Sequence, residues 1–447
     1  MHDLTQGSIR QHLVRMAVPM AVGMLMQTLY FLVDLYFVGR LGDAALAGVG
    51  AAGTLTMIVI ALTQVLGVGT VALIAQAVGR KDPVDANLVF NQSLGMSALC
   101  LGATLVGGYA AAGAYMGSMG ADAATAEAGR TYLAWYLPGL ALQFAMVAMG
   151  SALRGTGIVK PTMAVQMITV LLNIALAPVF IAGWGTGRPM GVAGAGLAST
   201  VAIAAGVVVL YLYFHRLEKY VHVDTAQWAP RRDAWRRILA IGLPAGGEFL
   251  MMFVIMAVIY AVTRGFGPDA QAGFGVGSRV MQAMFLPAMA LAFAIAPVAG
   301  QNFGAGLRER VRETFRTALA MSVGLMVVLT VVSKLWPAPL VSGFAEDPAV
   351  VSMGVLYLTV ISWNYVASGI NFCCSAMFQA LGNTVPALMS SGSRLVTFVL
   401  PAVWLSTRPG VRIVDFWHLS VASTALQAVA NLLLLRSLMR QKLGGAG

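Results

Sequence analysis

Four ionisable side chains stand inside long apolar runs of the chain: Asp34, Glu248, Arg279 and Arg394. A charge within hydrocarbon is costly unless it faces a partner or water, so each is a candidate for function. Either acid could take up and release a proton as its hydration changes, or stay ionised and hold Na⁺ or a cationic ligand. The two arginines could pair structurally or line a cavity. Little other chemistry is on offer. Cys100, Cys373 and Cys374 lie in apolar runs, without CxxC or Cys/His zinc spacing, and read as packing residues. The five histidines form no HExxH or other ligand pair. No cluster of Asp, His or Glu suits metal-diphosphate or acyl-transfer chemistry, so a membrane-embedded transferase is the weakest reading. Neither catalysis, a resident metal nor an organic cofactor is expected.

The elements that position these residues are membrane spans. Of 447 residues, 59% are hydrophobic and only 10% charged, with a mean hydropathy of +0.80. Apolar runs of 20 residues or more recur along the chain, each long enough to cross about 30 Å of hydrocarbon. Twelve helices are predicted, near 13–38, 46–77, 88–115, 131–153, 161–183, 190–214, 238–263, 271–302, 314–336, 352–380, 385–406 and 413–436. Pro19, Pro138, Pro178, Pro244 and Pro287 fall within them and are expected to kink them.

The net charge of +11 does not indicate nucleic-acid binding, because the cations sit in short loops between spans. Nineteen lie on the side shared by both termini and seven on the other, with Arg279 and Arg394 inside spans. The positive-inside rule places both termini in the cytoplasm. Arg10 and Arg15 precede a run to Val38 that is too long for a cleaved leader and lacks a small-residue cleavage site.

The chain also repeats itself. Pro19, Gly42, Ala47-Gly48, Gly50, Gln76 and Gly79 recur as Pro244, Gly267, Ala272-Gly273, Gly275, Gln301 and Gly304, always 225 residues later. Six spans per repeat give halves of the same orientation, related by a pseudo-two-fold axis along the membrane normal. The expected organisation is a six-helix lobe over 1–214, a linker over 215–237 and a second six-helix lobe over 238–447. The linker carries Arg216, Lys219, Arg231, Arg232, Arg236 and Arg237 with Trp228 and Trp235, which suits a cytoplasmic interfacial segment. Glu248 aligns with Gly23, eleven residues before Asp34, so the acids differ in depth by roughly 16 Å. They are expected to form two sites, or one site and one structural residue.

The residues resemble those of multidrug and toxic compound extrusion (MATE) transporters. Pro19 followed by Val33-Asp34-Leu35-Tyr36-Phe37-Val38-Gly39-Arg40-Leu41-Gly42 looks like that family's first helix. Ser278-Arg279, Leu286-Pro287, Gly300-Gln301-Asn302-Phe303-Gly304-Ala305-Gly306 and Glu309-Arg310 are similar to its eighth helix and following loop. Leu153-Arg154-Gly155-Thr156-Gly157 and Leu381-Gly382-Asn383-Thr384 resemble its fourth- and tenth-helix ends. The resemblance implies an all-α integral membrane protein of two six-helix lobes around a central cavity. It also implies a monomer in a bacterial inner membrane, exporting cationic or amphipathic small molecules in exchange for H⁺ or Na⁺.

In that family an Asp on the first helix is held by polar residues of its lobe, which by position are Tyr136, Asn173 and Thr200 here. The family often has an Asp before the fifth-helix Pro, where this chain has Ala177-Pro178. Glu248 resembles the seventh-helix acid of the sodium-coupled branch. That branch adds an Asp on the tenth helix, and only Asn364 and Asn371 stand in that region here. Na⁺ at Glu248 is therefore less expected than H⁺ coupling. Arg279 and Arg394 match positions where the family often has Arg. A flippase for lipid-linked oligosaccharides is the competing reading, but its anionic headgroup calls for more intramembrane cations. Met24, Met26, Met251, Met252, Met281 and Met284 could line an adaptable cavity or simply pack the bundle.

Overall fold

The computed structural model describes residues 2–119, 122–218 and 220–444. Lys219, one of the linker cations above, lies outside the described residues. Every regular element among the described residues is helical, as expected where lipid leaves backbone groups no water to bond. The first six helices are α1 (Ile9–Gly39), α2 (Asp43–Gly79), α3 (Pro83–Met119), α4 (Ala123–Gly155), α5 (Lys160–Ala182) and α6 (Val192–Arg216). Then follow α7 (Arg232–Arg264), α8 (Pro268–Gly304), α9 (Arg308–Leu335), the short α10 (Pro337–Ser342), α11 (Pro348–Ile361) and α12 (Asn364–Ala380). The chain ends with α13 (Val385–Arg394), a π-helical turn (Leu395–Val399), α14 (Leu400–Ser406) and α15 (Ile413–Leu443). Among the described residues eleven spans are long and apolar enough to cross a membrane, with Val385–Ser406 as one of them, and the bent pair α11–α12 makes twelve.

Two predicted spans are not simple helices. The run expected over 352–380 bends by 59° between α11 and α12. No proline causes it. Trp363 and Tyr365 donate their backbone N–H groups three residues back, to Val360 and Ser362, which tightens the chain at the turn. The run expected over 385–406 holds the π-helical turn directly after Arg394. Pro401 has no N–H to give the carbonyl of Thr397, and Leu400 N–H bonds five residues back to Leu395 instead.

The chain forms two compact units. Unit 1 comprises Met1–Asp3 and Pro19–Gly242, and unit 2 comprises Leu4–Val18 and Leu243–Gly447. The boundaries thus fall at Pro19 and beside Pro244, a pair of repeat mates. The stretch 220–231 belongs to unit 1, where it is pinned to α3. His222 N donates to Asn87 Oδ1 (2.8 Å) and Asp224 N to Asn91 Oδ1 (2.7 Å). Gln92 donates to the carbonyls of Gln227 and Ala229 and accepts from Arg231 N. Arg237 closes the join with a two-pronged bond to Asp85, both contacts at 2.7 Å. In unit 2 the leading segment is held as firmly. Leu4 N donates to Gln301 Oε1 (2.9 Å), and Leu4 O accepts from Asn302 Nδ2 (3.2 Å). Arg310 reaches the carbonyl of Gly7 (3.1 Å).

The 225-residue repeat is visible in the backbone. Gly42 and its mate Gly267 precede α2 and α8 with φ of 110° and 99°. Gly157 and Gly382 end α4 and α12 with φ of 80° and 72°, and the N–H bonds around them match one for one. At the ends of α2 and α8 the same left-handed position is Lys81 (φ 58°) in one unit and Gly306 (φ 73°) in the other. A shared close crossing sets each unit's interior. A Cβ on Gly48 would lie 2.6 Å from the carbonyl oxygen of Thr125 and 2.7 Å from Gly129 N, so α2 and α4 meet backbone to backbone. Gly273 and Gly354 repeat that crossing between α8 and α11.

Candidate functional site

In unit 1 the crossing of α2 with α4 and of α4 with α6 builds the floor against which the second half of α1 lies. Asp34 is on that half of α1, buried at 8% exposure. Tyr30 precedes it by one helical turn, and Tyr132 and Tyr136 of α4 come within electrostatic reach of its carboxylate. The rings of Tyr132 and Tyr136 lie 5.0 Å apart. These hydroxyls are partly engaged elsewhere: Tyr30 donates to Ser199 Oγ (2.6 Å), and Tyr136 bonds Thr56. Asn173 on α5 also donates to Ser199 Oγ (3.3 Å). Asp34 Oδ1 and Asn173 Oδ1 are buried with no hydrogen-bond partner among the described residues. Such acceptors are expensive to leave unmet, above all on an ionised carboxylate. The arrangement suits a group whose charge is met by an incoming proton or cation.

Of the three partners assigned to Asp34 by position, the structure brings Tyr136 within electrostatic reach of it. Asn173 stands in the same buried polar set, through Ser199. Thr200 is committed elsewhere: its hydroxyl donates to Trp135 O (2.6 Å) and accepts from Gly139 N (3.2 Å), fastening α6 to α4. Sequence reasoning missed Tyr30, Tyr132 and Ser199. Helical spacing carried the signal, since Tyr30 and Tyr132 each stand four residues before a residue already singled out, Asp34 and Tyr136.

Glu248 in unit 2 has a different seat, just past Pro244 on α7. Ser375 of α12 donates to its Oε2 at 2.8 Å, and Ser391 of α13 reaches Oε1 at 3.5 Å. Gln427 of α15 donates to Ser391 Oγ (3.1 Å). One turn along each helix, Asn431 donates to Asn371 Oδ1 (2.8 Å). Asn364 lies at the far end of α12 with a buried Oδ1 that has no partner among the described residues. No group of three His, Cys, Asp or Glu able to hold a metal occurs among the described residues. Glu248 with Ser375 and Ser391 is therefore a single-carboxylate set. It could hold a proton or, with less charge than Na⁺ sites commonly supply, a cation.

The arginines part company. Arg394, at the π-helical turn, lies 5.6 Å over the Phe398 ring and reaches Ser420 Oγ at 3.4 Å. Arg279 is exposed on α8, and none of the ion pairs among the described residues includes it. Met281 and Met284 pack into unit 2's interior, where their sulfurs accept from Tyr357 (3.7 Å) and Ser333 (3.4 Å). Met252 is exposed. The three cysteines are unpaired, with Cys373 and Cys374 buried.

Known proteins share the fold that carries these residues. The MatE family model matches residues 19–179 and again 244–404, the second match beginning and ending 225 residues after the first. The chain is 26% identical over 425 residues to the probable multidrug resistance protein YpnP of Bacillus subtilis, across 93% of this chain and 91% of that one. It is 23% identical over 410 residues to a protein of Shewanella oneidensis described as an FAD transporter, across 91% of this chain and 90% of that one. A crystal structure described as MATE in the bent conformation superposes with a TM-score of 0.92 at 25% identity, covering 98% of this chain and 97% of that one. Matched in both halves by one family model and along nearly its whole length by the fold, this chain belongs to the MatE family of membrane transporters.

Proposed function

We propose that the chain exports cationic or amphipathic small molecules in exchange for protons, with Asp34 as the coupling residue. The observation that carries this reading is the seat of Asp34: buried, within electrostatic reach of three tyrosines, with one carboxylate oxygen that has no hydrogen-bond partner among the described residues. A proton arriving at that carboxylate removes a charge that the dry surroundings oppose. The half of α1 beyond Pro19 is then free to settle differently, because Pro19 gives no N–H to the turn before it. Substrate is released as the cavity closes, and loss of the proton to the cytoplasm resets the helix. In this reading the protein sits in a bacterial inner membrane with both termini on the cytoplasmic side, as its loop charges favour, and works as a monomer without a cofactor.

The relatives' descriptions name multidrug resistance in one case and FAD in another, so the cargo has to be read from this chain's own side chains. Two intramembrane acids against few cations favour cationic or amphipathic cargo over the large anionic headgroup of a lipid-linked oligosaccharide. The test is transport in proteoliposomes driven by a pH gradient in the absence of Na⁺, for the wild type and for Asp34→Asn. Export by the wild type and its loss in the variant support the reading. Strict dependence on Na⁺ would move the coupling site to Glu248, and unchanged proton-driven transport in Asp34→Asn would exclude Asp34.

A further inference from the structure

Repeat mates on α2 and α8 present the same open helix face in the two units, and its chemistry differs. On α2 that face carries Leu46, Gly50, Met57, Ile58 and Leu62, all exposed. On α8 the mates are Gln271 and Gly275, both half-buried, and Gln282, Ala283 and Pro287, all exposed, with exposed Arg279 in the same row. Gln271, Gly275, Arg279 and Gln282 follow one another at helical spacing, a polar stripe of roughly 16 Å. Between these positions α8 is covered within unit 2 at its glycines: Gly273 meets Met353 of α11, and Gly277 meets the ring of Tyr357. Tyr260 of α7 adds a donor, because a Cβ on Gly275, one turn from Arg279, would lie 3.6 Å from its hydroxyl. That tyrosine is itself 40% exposed.

An arginine with no ion pair among the described residues, and two glutamines beside it, are costly against lipid and cheap against water, so this stripe is stable where it meets water. Guanidinium, phenol and carboxamide groups all donate there, and no acid shares the stripe. Such a set recognises an anionic oxygen group, which arginine grips through two parallel N–H bonds. One guanidinium balances one unit of charge, so the match is a carboxylate in preference to a phosphate dianion. The geometry points to Arg279 as a specificity-determining residue that binds the carboxylate of zwitterionic amphiphiles, with Gln282 and Tyr260 as supporting donors. This rests on the exporter reading above and deepens it by naming a substrate class.

The experiment uses two dyes that differ only at one group: a rhodamine ester, which is a permanent cation, and its free acid, which is a zwitterion. Transport of each into proteoliposomes is measured for the wild type, Arg279→Gln, Arg279→Lys and Gln282→Met, the last restoring the residue of unit 1. Arg279→Gln should cut free-acid transport about ten-fold while ester transport stays within about two-fold; Arg279→Lys should recover part of the loss. Gln282→Met should lower the free acid alone by a few-fold. Binding of the free acid to detergent-purified protein, followed by fluorescence anisotropy, should weaken in the same order. An equal loss for both dyes in Arg279→Gln and Gln282→Met, or unchanged free-acid transport in Arg279→Gln, overturns the proposal. So does a wild type that moves the ester and not the acid. A wild type that moves neither dye overturns the exporter reading and this inference with it.

Discussion

The position of Asp34 in unit 1 is held by Ile259 in unit 2, and the position of Glu248 is held in unit 1 by Gly23. Ile259 packs against an apolar cluster that contains Phe274, Tyr357 and Trp417, whose rings stack and cross at centroid distances near 5 Å. Tyr357 is the repeat mate of Tyr132, so the same ring serves beside a carboxylate in one unit and inside a hydrocarbon cluster in the other. Each unit carries one intramembrane acid on its proline-bearing helix, at different heights. Among the described residues one oxygen of Asp34 has no partner, whereas Glu248 is met by two serines. The crossings and helix ends that make the scaffold recur at 225 residues, whereas the groups that carry charge do not. A duplicated frame thus holds its two acids in two different electrostatic settings.

The sharpest way to break this comparison is at Asp34. Asp34→Asn should abolish proton-driven export, by well over ten-fold, while the protein still inserts and binds substrate, as read by proteoliposome flux beside ligand binding in detergent. Equal loss of flux in Asp34→Asn and Glu248→Gln would erase the distinction between the two seats. The reciprocal change, Ile259→Asp, places a carboxylate in a seat built for hydrocarbon. It should destabilise unit 2 by about 2–4 kcal/mol, seen as a lower thermal midpoint in detergent. Glu248→Gln should weaken substrate or cation binding more than it weakens folding. Ser375→Ala, which removes the shorter of its two hydrogen bonds, should have the same direction and a smaller size, about 1–2 kcal/mol in binding titrations. The smallest effect belongs to the scaffold. Lys81→Gly installs the residue that unit 2 uses at that left-handed position, and should leave stability unchanged or raise it by up to about 1 kcal/mol. Lys81→Val should lower it.

Much of this was legible in the sequence because a bilayer simplifies the problem. Twelve apolar runs give twelve spans, and the constant offset between Pro19 and Pro244, or Gly48 and Gly273, marks where backbone geometry has to repeat. The acids stand out because hydrocarbon makes them conspicuous. Hydropathy carries no information about register within a span, and there the reading stopped. The bend before α12 has no proline to announce it, and the π-helical turn follows from a missing donor at Pro401 that could equally have produced a kink. The partners of Asp34 required knowing which faces of α4 and α6 meet. Gly139 and Gly196 let those helices approach so closely that the Thr200 hydroxyl serves their backbones. Ser199, its neighbour, then takes the buried position beside Tyr30. Arg279 and Arg394 looked alike as intramembrane cations, and only side-chain exposure separates the one on an open face from the one laid over Phe398.

The docking of Leu4 on Gln301 and Asn302 has a consequence for how the protein is made. Its hydrogen bonds join residues 297 and 298 positions apart. At about 5–20 residues per second, the ribosome delivers that docking surface roughly 15–60 seconds after Leu4 itself has emerged. Closing so long a loop costs about 5 kcal/mol of chain entropy if nothing else has ordered the intervening residues. Nearly all of unit 1, Pro19–Gly242, is contiguous and can settle in the bilayer first, which orders most of the intervening residues and lowers that cost. Leu4 and its neighbours then act as the closing stitch of the second unit: made well before Gln301 and Asn302, and docked only after them.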